Sequence, residues 1–389
     1  MTENRLLPDW INAFLKYTYN TEPPESYKKW VAISVIASCL QRKCYTQWDR
    51  QSYPNLYVVL VGPSGCRKGT AMYPGQAFLR RIGVEMSPEA VTREQLIRRL
   101  RASGSHRIDG ISPALHASLT VFSPELTVFL GYGNQQLMAD LCDWYDCGDK
   151  WSYETKNAGQ DHITNVWVNL IGATTPRLLQ TTLPQDAFGG GLTARMIFIN
   201  ELYKGKTVTI PSLDMELEEP LLHDLEQINM LAGEFNRTSE YLRLYSEWYE
   251  NEEADPPFSD YRFDGYISRR ATHVRKLSMI MSASRGDDMQ LTVMDLRRAI
   301  TELELAEKKM STVFSGVGRS DLAGVTRAVM TTIATYKVIS YGELQSKFID
   351  DITSGELDEI VKALMAIEDE GKRFCRWKDP KNRIIEYVE

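Results

Sequence analysis

The feature that most narrows the choice of fold is a short apolar run at residues 56–61 (LYVVLV). It ends in Gly62 and opens onto Pro63, Ser64, Gly65, Cys66, Arg67, Lys68, Gly69 and Thr70. A β-branched run with no polar interruption reads as a strand buried on both faces, which is how strands of a parallel sheet look. Parallel strands need crossovers, and residues 70–81 supply a helical stretch directly after the glycine-containing loop. Three more buried strands are expected at 119–122 (LTVF), 166–171 (VWVNLI) and 196–199 (MIFI). Between the runs at 56–61 and 119–122 lies an amphipathic helix with a Thr cap, 92–101 (TREQLIRRLR). Strands alternating with helices indicate an α/β parallel core.

At 389 residues the chain is long enough for two or three domains. Residues 1–50 read as an N-terminal helical region, with an apolar stripe at Trp10, Phe14 and Leu15 and a buried helix from Trp30 to Leu40. The α/β core spans 51–210. Residues 211–315 turn to Glu, Leu and aromatics at helical spacing and read as a helical lid or subdomain. Residues 316–320 (GVGRS) look like a linker. The segment 320–389 follows the order helix (326–337), helix (341–348), helix (354–370), hairpin (374–377 with 384–388), which is the winged-helix pattern.

The net charge of −7 excludes non-specific coating of nucleic acid, so any DNA contact must come from a local basic concentration. The six cysteines show no CxxC spacing and no paired histidines, which argues for reduced thiols in a cytoplasmic protein and against zinc. There is no apolar stretch long enough for a membrane helix, and the N-terminus lacks a signal-peptide core.

The loop 62–70 compares with GxxxxGK[ST], the phosphate-cradling pattern of a P-loop between strand and helix. Gly62, Ser64, Gly65, Cys66, Arg67, Lys68, Gly69 and Thr70 are the candidate nucleotide-binding residues. Glycines let the backbone curl so that N–H groups meet phosphate oxygens, the helix N-terminus adds positive potential, and Lys68 adds a full charge. Two positions depart from the pattern. Arg67 stands in place of the second glycine and is expected to crowd the loop. Gly69 replaces the magnesium-binding hydroxyl, leaving that role to Thr70. The run Leu119–Phe122 leads into Ser123, Pro124 and Glu125; Glu125 takes the place of the water-activating carboxylate and second magnesium contact, while Ser123 stands where an Asp is usual.

The order of motifs, GPSGCRKGTA, VFSPEL, DKWSYETKNAG, NLIGATTP and GGGLTARMIFI, resembles the phage- and plasmid-encoded helicase-like P-loop ATPases, which are similar to superfamily 3 and minichromosome-maintenance helicases of the AAA+ class. The resemblance covers residues 25–310. It implies ATP and Mg2+ as cofactors and a homo-oligomeric ring, a hexamer, around single-stranded DNA. It makes Thr174 or Thr175 the polar residue that senses the γ-phosphate, and Arg195 the arginine finger acting on the neighbouring subunit's nucleotide. It points to Arg269, Arg270 or Arg275 as a second arginine sensor, of which Arg269 and Arg275 are carried as nucleotide-binding candidates. Lys150 and Lys156, beside Trp151 and Tyr153, match a channel hairpin that neutralises phosphates while the aromatics stack on bases. The plainer reading of that segment is a surface loop whose aromatics pack locally.

The basic residues Arg93, Arg98, Arg99, Arg101 and Arg107 form the densest positive cluster. The last expected helix is acidic (Glu356, Asp358, Glu359, Glu368, Asp369, Glu370) and would repel a phosphate backbone, whereas the wing is basic (Lys372, Arg373, Arg376, Lys378, Lys381, Arg383). Two functions stay open: an ATP-driven DNA helicase or translocase of phage or plasmid replication, and a non-motor nucleotide switch (initiator, loader or regulatory ATPase) acting on a protein partner. A nucleotide kinase is disfavoured by the helical segment, the finger arginine and the C-terminal domain.

Overall fold

The computed structural model describes residues 4–388 except 89, 106–115, 132, 156–158, 183–190, 259, 314–321, 350, 367 and 370–371. The chain divides into two compact units, Met1–Phe314 and Ser315–Glu389.

The centre of the first unit is a four-stranded, wholly parallel sheet in the order Ala117–Ser123, Val166–Thr174, Tyr57–Val61, Met196–Asn200. Every residue of these strands is buried, as their predominantly apolar sequences require. All four expected strands are present, each within a few residues of its anticipated bounds. The lone polar residue deep in the third run has a structural task. Asn169 accepts from the Leu56 amide (2.8 Å) and donates to Ser34 O (3.2 Å) and Ser38 Oγ (3.0 Å), tying the sheet to the helix Glu25–Leu40.

The stretch 8–45 holds two helices, Trp10–Tyr17 and Glu25–Leu40, and then a strand, Cys44–Gln47. Asp9 caps the first by accepting from Asn12 N at 2.8 Å. The helix Lys68–Arg81 packs on Glu25–Leu40 at Gly75, where a Cβ would come within 2.6 Å of Val31 and 2.9 Å of Val35. Only glycine lets these two helices approach so closely.

The helical segment after residue 211 is built into this same unit rather than standing apart. The helix Asp264–Arg285 buries 13 of its 22 residues, on all sides, as a core helix does. Trp10 Nε1 donates to Leu221 O (2.9 Å), and the buried carboxylate of Asp224 accepts from Leu6 N and Leu7 N (2.8 and 2.9 Å). These bonds lock the N-terminal segment to the helix Glu218–Met230. The helix Val293–Val313 packs against the edge strand Met196–Asn200.

The second unit has helices Leu322–Tyr336, Tyr341–Lys347 and Ser354–Ala366 and an antiparallel sheet ordered Val338–Ser340, Ile384–Tyr387, Cys375–Asp379. Its own core includes Val329, Ile333, Leu344, Leu357, Leu364 and Ile385. The strand Val338–Ser340 was not anticipated. The last helix also stops earlier than its expected end at 370, because Glu368–Asp369 pairs with Lys372–Arg373 as strand. The expected turn is held by Asp379, which accepts from Lys381 N (2.9 Å) and Asn382 N (3.2 Å). Residues 316–320, read as a linker, lie outside the described residues. No described helix is long and apolar enough to cross a membrane, and all six cysteines are free thiols.

Candidate functional site

In a parallel sheet every strand ends at the same edge, and the loops that leave that edge form the usual ligand crevice of open α/β folds. Here the loop 62–67 leaves the strand Tyr57–Val61 and the helix Lys68–Arg81 begins at once. The loop's shape is set by a few fixed points. Gly62 donates to Thr174 O (3.3 Å), and a Cβ on it would lie 2.5 Å from both Glu201 O and Tyr27 Oη, so no other residue fits. Gly65 has φ +90° and Arg67 has φ +61°, ψ +32°. Both are left-handed, which glycine adopts freely and arginine only with strain. Position 67 therefore wants glycine for its backbone, which is why an arginine there breaks the pattern.

The expected crowding by Arg67 is not found. Its guanidinium leaves the loop, half exposed, and Nε donates to Glu22 Oε2 at 2.7 Å. Lys68 Nζ folds back onto the loop, donating to Gly62 O (2.6 Å) and Pro63 O (3.0 Å). Burial holds its ammonium below the usual lysine range, against the opposing pull of Cys66 and Glu125. The helix is not capped by a side chain, and the amides of Lys68, Gly69 and Thr70 have no carbonyl behind them within the helix. The result is a cluster of outward N–H donors with a lysine beside them. Ser64, Gly69 and Thr70 are exposed at the same loop. Cys66 is buried against Glu201 O (Sγ to O 3.5 Å), and burial pushes its thiol up, so it is packing rather than a nucleophile.

Glu125 follows the strand Ala117–Ser123 at this same edge. It is exposed, and it makes no side-chain capping bond to the short helix Leu126–Leu130 that it precedes. The strand Val166–Thr174 lies between the Glu125 strand and the loop strand. Two strand spacings, about 9.5 Å, therefore separate them, room for a phosphoryl group and a water. Ser123 is buried with a hydroxyl that has no partner among the described residues. Thr174 is also buried, its hydroxyl turned to Thr175 O (3.4 Å), and Thr175 Oγ1 accepts from Leu178 N (3.3 Å) at the start of the helix Pro176–Thr182. In this conformation both threonine hydroxyls are occupied locally.

The arginines lie elsewhere. Met196 pairs with Tyr57 and Asn200 with Val61, so Arg195 stands where the strands begin and Lys68 where they end. About 16 Å of strand separates the two edges. Arg195 is nine-tenths buried, donates to Gly191 O (2.8 Å) and forms an ion pair with Asp146. Arg269 shares that carboxylate at 3.3 Å. Arg275 lies over the Trp48 ring (4.0 Å) and donates to Tyr245 Oη (2.8 Å), while Arg270 is buried against Glu307 (2.7 and 2.8 Å). Arg269, Arg270 and Arg275, the candidates for a second arginine sensor, thus all have partners away from Lys68 in this structure. Their helix packs at the edge that holds Arg195, because its interior position leaves them no path to the loop.

The expected hairpin exists, Lys150–Thr155 with Gly159–Thr164. Lys150 is exposed at its base, and Lys156 lies outside the described residues, as does Arg107. Trp151 and Tyr153 are half-buried and pack within the chain. Trp151 packs edge-on to Trp144 (5.5 Å), and Tyr153 lies under Arg93 (4.6 Å), which is itself paired with Asp140 (2.7 Å). Three of the wing cations are paired, Arg376 and Lys378 with Glu386 and Arg383 with Asp358.

The residues at the loop edge fit a polyphosphate: a Cβ-intolerant turn, unspent amides and a lysine. They fit magnesium only as an ion held mostly by phosphates and water, with Thr70 and Glu125 as protein donors. Among the described residues no group of three or more His, Cys, Asp or Glu is placed to hold a metal by itself. Sequence reading missed Glu22, the carboxylate that holds Arg67, and took Asp146 (with Asp143 and Asp149) only as an alternative acid to Glu125 rather than as the partner of Arg195; each carboxylate lies more than forty positions from the arginine it holds. No family model matches the chain, and no curated protein matches it in sequence.

Proposed function

We propose that the chain is an ATP-hydrolysing P-loop enzyme with an AAA+-like core, acting as an oligomeric DNA helicase or translocase. The observation that carries this reading is Lys68. It opens a helix directly after a turn bounded by left-handed residues, at the C-terminal edge of a parallel sheet, within electrostatic reach of the exposed Glu125.

In this reading the amides of the loop bind the β- and γ-phosphates, and Lys68 exchanges the Gly62 and Pro63 carbonyls for phosphate oxygens. Glu125 orients a water against the γ-phosphorus and takes its proton as the new P–O bond forms and the bond to the leaving ADP breaks. Magnesium, when bound, supplies charge neutralisation on the phosphates. Arg195 is too far from Lys68 of its own chain to assist, so its charge serves the neighbouring copy's nucleotide, which requires a homo-oligomer. The second unit, with three helices and a three-stranded sheet, is read as a winged helix.

A non-motor switch acting on a protein partner is favoured by one specific observation. Trp151 and Tyr153 of the hairpin pack within the chain, and three wing cations, Arg376, Lys378 and Arg383, pair with carboxylates. The deciding measurement is ATP hydrolysis with and without single-stranded DNA, beside Glu125→Gln. A DNA-dependent rise that Glu125→Gln removes supports the motor. Hydrolysis indifferent to DNA supports the switch, and absence of both binding and hydrolysis overturns the enzyme reading.

A further inference from the structure

We infer that Arg67 is a second phosphate-binding cation of the loop, held in reserve by Glu22. The inference rests on the reading of the loop as a nucleotide site.

Arg67 precedes Lys68 and occupies the position whose backbone favours glycine. Its side chain is not packed into the protein: it is 48% exposed and bonded through Nε alone to Glu22 Oε2 (2.7 Å). The two Nη groups have no partner among the described residues. That leaves the forked face of the guanidinium, the part suited to bidentate phosphate recognition, uncommitted beside the loop.

Glu22 is arranged so that releasing Arg67 does not strand a buried charge. It is nine-tenths buried, and its other oxygen accepts from Lys204 Nζ (2.6 Å) and Val208 N (3.4 Å). If Arg67 turns to a phosphate, the carboxylate keeps a lysine and an amide, so the handover avoids leaving a buried, unpaired ion. The segment carrying Lys204 is pinned independently. Gly205 N donates to Glu22 O at 2.9 Å, and a Cβ on Gly205 would lie 2.9 Å from Pro23 O. Lys204 is therefore a fixed counterion and Arg67 the mobile one. An added cation at this place also answers the loss of a metal-binding hydroxyl at Gly69.

The competing role is a strut that ties the loop to residues 18–24. Substitution by glycine separates the two, because Arg67→Gly restores the phosphate-loop pattern and relieves the left-handed strain. We would titrate the full-length wild type, Arg67→Gly, Arg67→Lys and Lys68→Ala with a fluorescent ATP analogue, and record thermal melting without nucleotide. The inference expects Arg67→Gly to melt no lower than wild type yet to bind the triphosphate about tenfold more weakly. Equal or tighter binding by Arg67→Gly overturns it. If that variant melts lower, Arg67→Lys decides, since it keeps the backbone and the charge but loses the fork. Binding threefold or more below wild type at unchanged melting supports the inference, and equal binding overturns it. Failure of the underlying reading looks different: wild type would not bind the analogue, or Lys68→Ala would bind it as well as wild type.

Discussion

The two edges of the parallel sheet hold charged residues in opposite ways. At the edge where strands end, Glu125, Thr70 and the half-exposed Arg67 face solvent, and Lys68 rests on two loop carbonyls that a better acceptor can replace. At the edge where strands begin, the cations are spent. Arg195 is buried on Asp146 and Gly191 O, Arg269 shares Asp146, Arg270 is enclosed by Glu307, and Lys276 Nζ donates to Asn55 Oδ1 (2.5 Å). One edge leaves its charges exposed or on replaceable partners, whereas the other holds them on buried or shared carboxylates. A charge counted in the sequence is thus a poor guide to a charge available for chemistry, since burial and pairing decide which it is.

The sharpest way to break this comparison is to ask whether the edges meet between copies of the chain. Glu125→Gln and Arg195→Ala should each lower ATP turnover by about 10³-fold while leaving nucleotide binding within about threefold. Mixed in equal amounts, the two inactive proteins should regain about a quarter of wild-type turnover. One interface in four then pairs an intact Glu125 with an intact Arg195 from the next subunit. No recovery in a mixture that has exchanged subunits would mean that Arg195 does not act across copies.

Much of the fold was legible because the sheet is parallel and buried. Residues 56–61, 166–171 and 196–199 carry the continuous apolar signal that such burial demands, and the loop after the first of them has a recognisable spacing. The pairings were not legible. Glu22 reaches Arg67 only because residues 18–24 wrap the segment 204–208, and Asp146 reaches Arg195 only because the helix Gln135–Tyr145 ends beside the start of the strand Met196–Asn200. The resemblance made the helix at 267–279 a lid carrying a sensor arginine. Ser278, Ser282 and Ser284 in the helix Asp264–Arg285 are small enough for it to sit in the core, and there Arg269 shares Asp146 with Arg195 while Arg275 lies over Trp48. The aromatics Trp151 and Tyr153 carried the same ambiguity between base stacking and local packing, and in the structure they lie against Trp144 and Arg93.

The committed edge should also be the acid-sensitive one. His273 is fully enclosed between the Tyr145 and Tyr266 rings, and its pKa is pushed down to about 3, first by burial and then by Lys276. The unfolded chain takes up a proton near pH 6.5 and the folded chain only near 3, so stability is lost as pH falls through that window. The loss attributable to this one group reaches about 3 kcal/mol by pH 4. Urea unfolding at pH 7 and pH 4 should show His273→Gln losing less stability on acidification than wild type. Equal losses would mean that the folded histidine accepts a proton. Asp146→Ala, which leaves Arg195 without its carboxylate, should cost about 2 kcal/mol, since Asp146 is itself half exposed. It should leave ATP-analogue affinity unchanged, because the loop lies at the far edge. Weakened binding in that variant would couple the two edges within one chain.

The smallest effect concerns the open edge. Gly69 lies in the first turn of the helix Lys68–Arg81, and a Cβ placed on it meets nothing within 4 Å. Its glycine is therefore not required by space or by backbone, unlike Gly62. A serine there adds a hydroxyl next to Lys68 and improves helix propensity, so Gly69→Ser should change stability by no more than about 0.5 kcal/mol, in the stabilising direction. If Thr70 fills the metal-binding role imperfectly, the variant should reach half-maximal hydrolysis at several-fold lower magnesium and raise turnover by about twofold to fivefold. An unchanged magnesium requirement would show that Thr70 already supplies that ligand, whereas a lowered one would show an edge still open to a better fit.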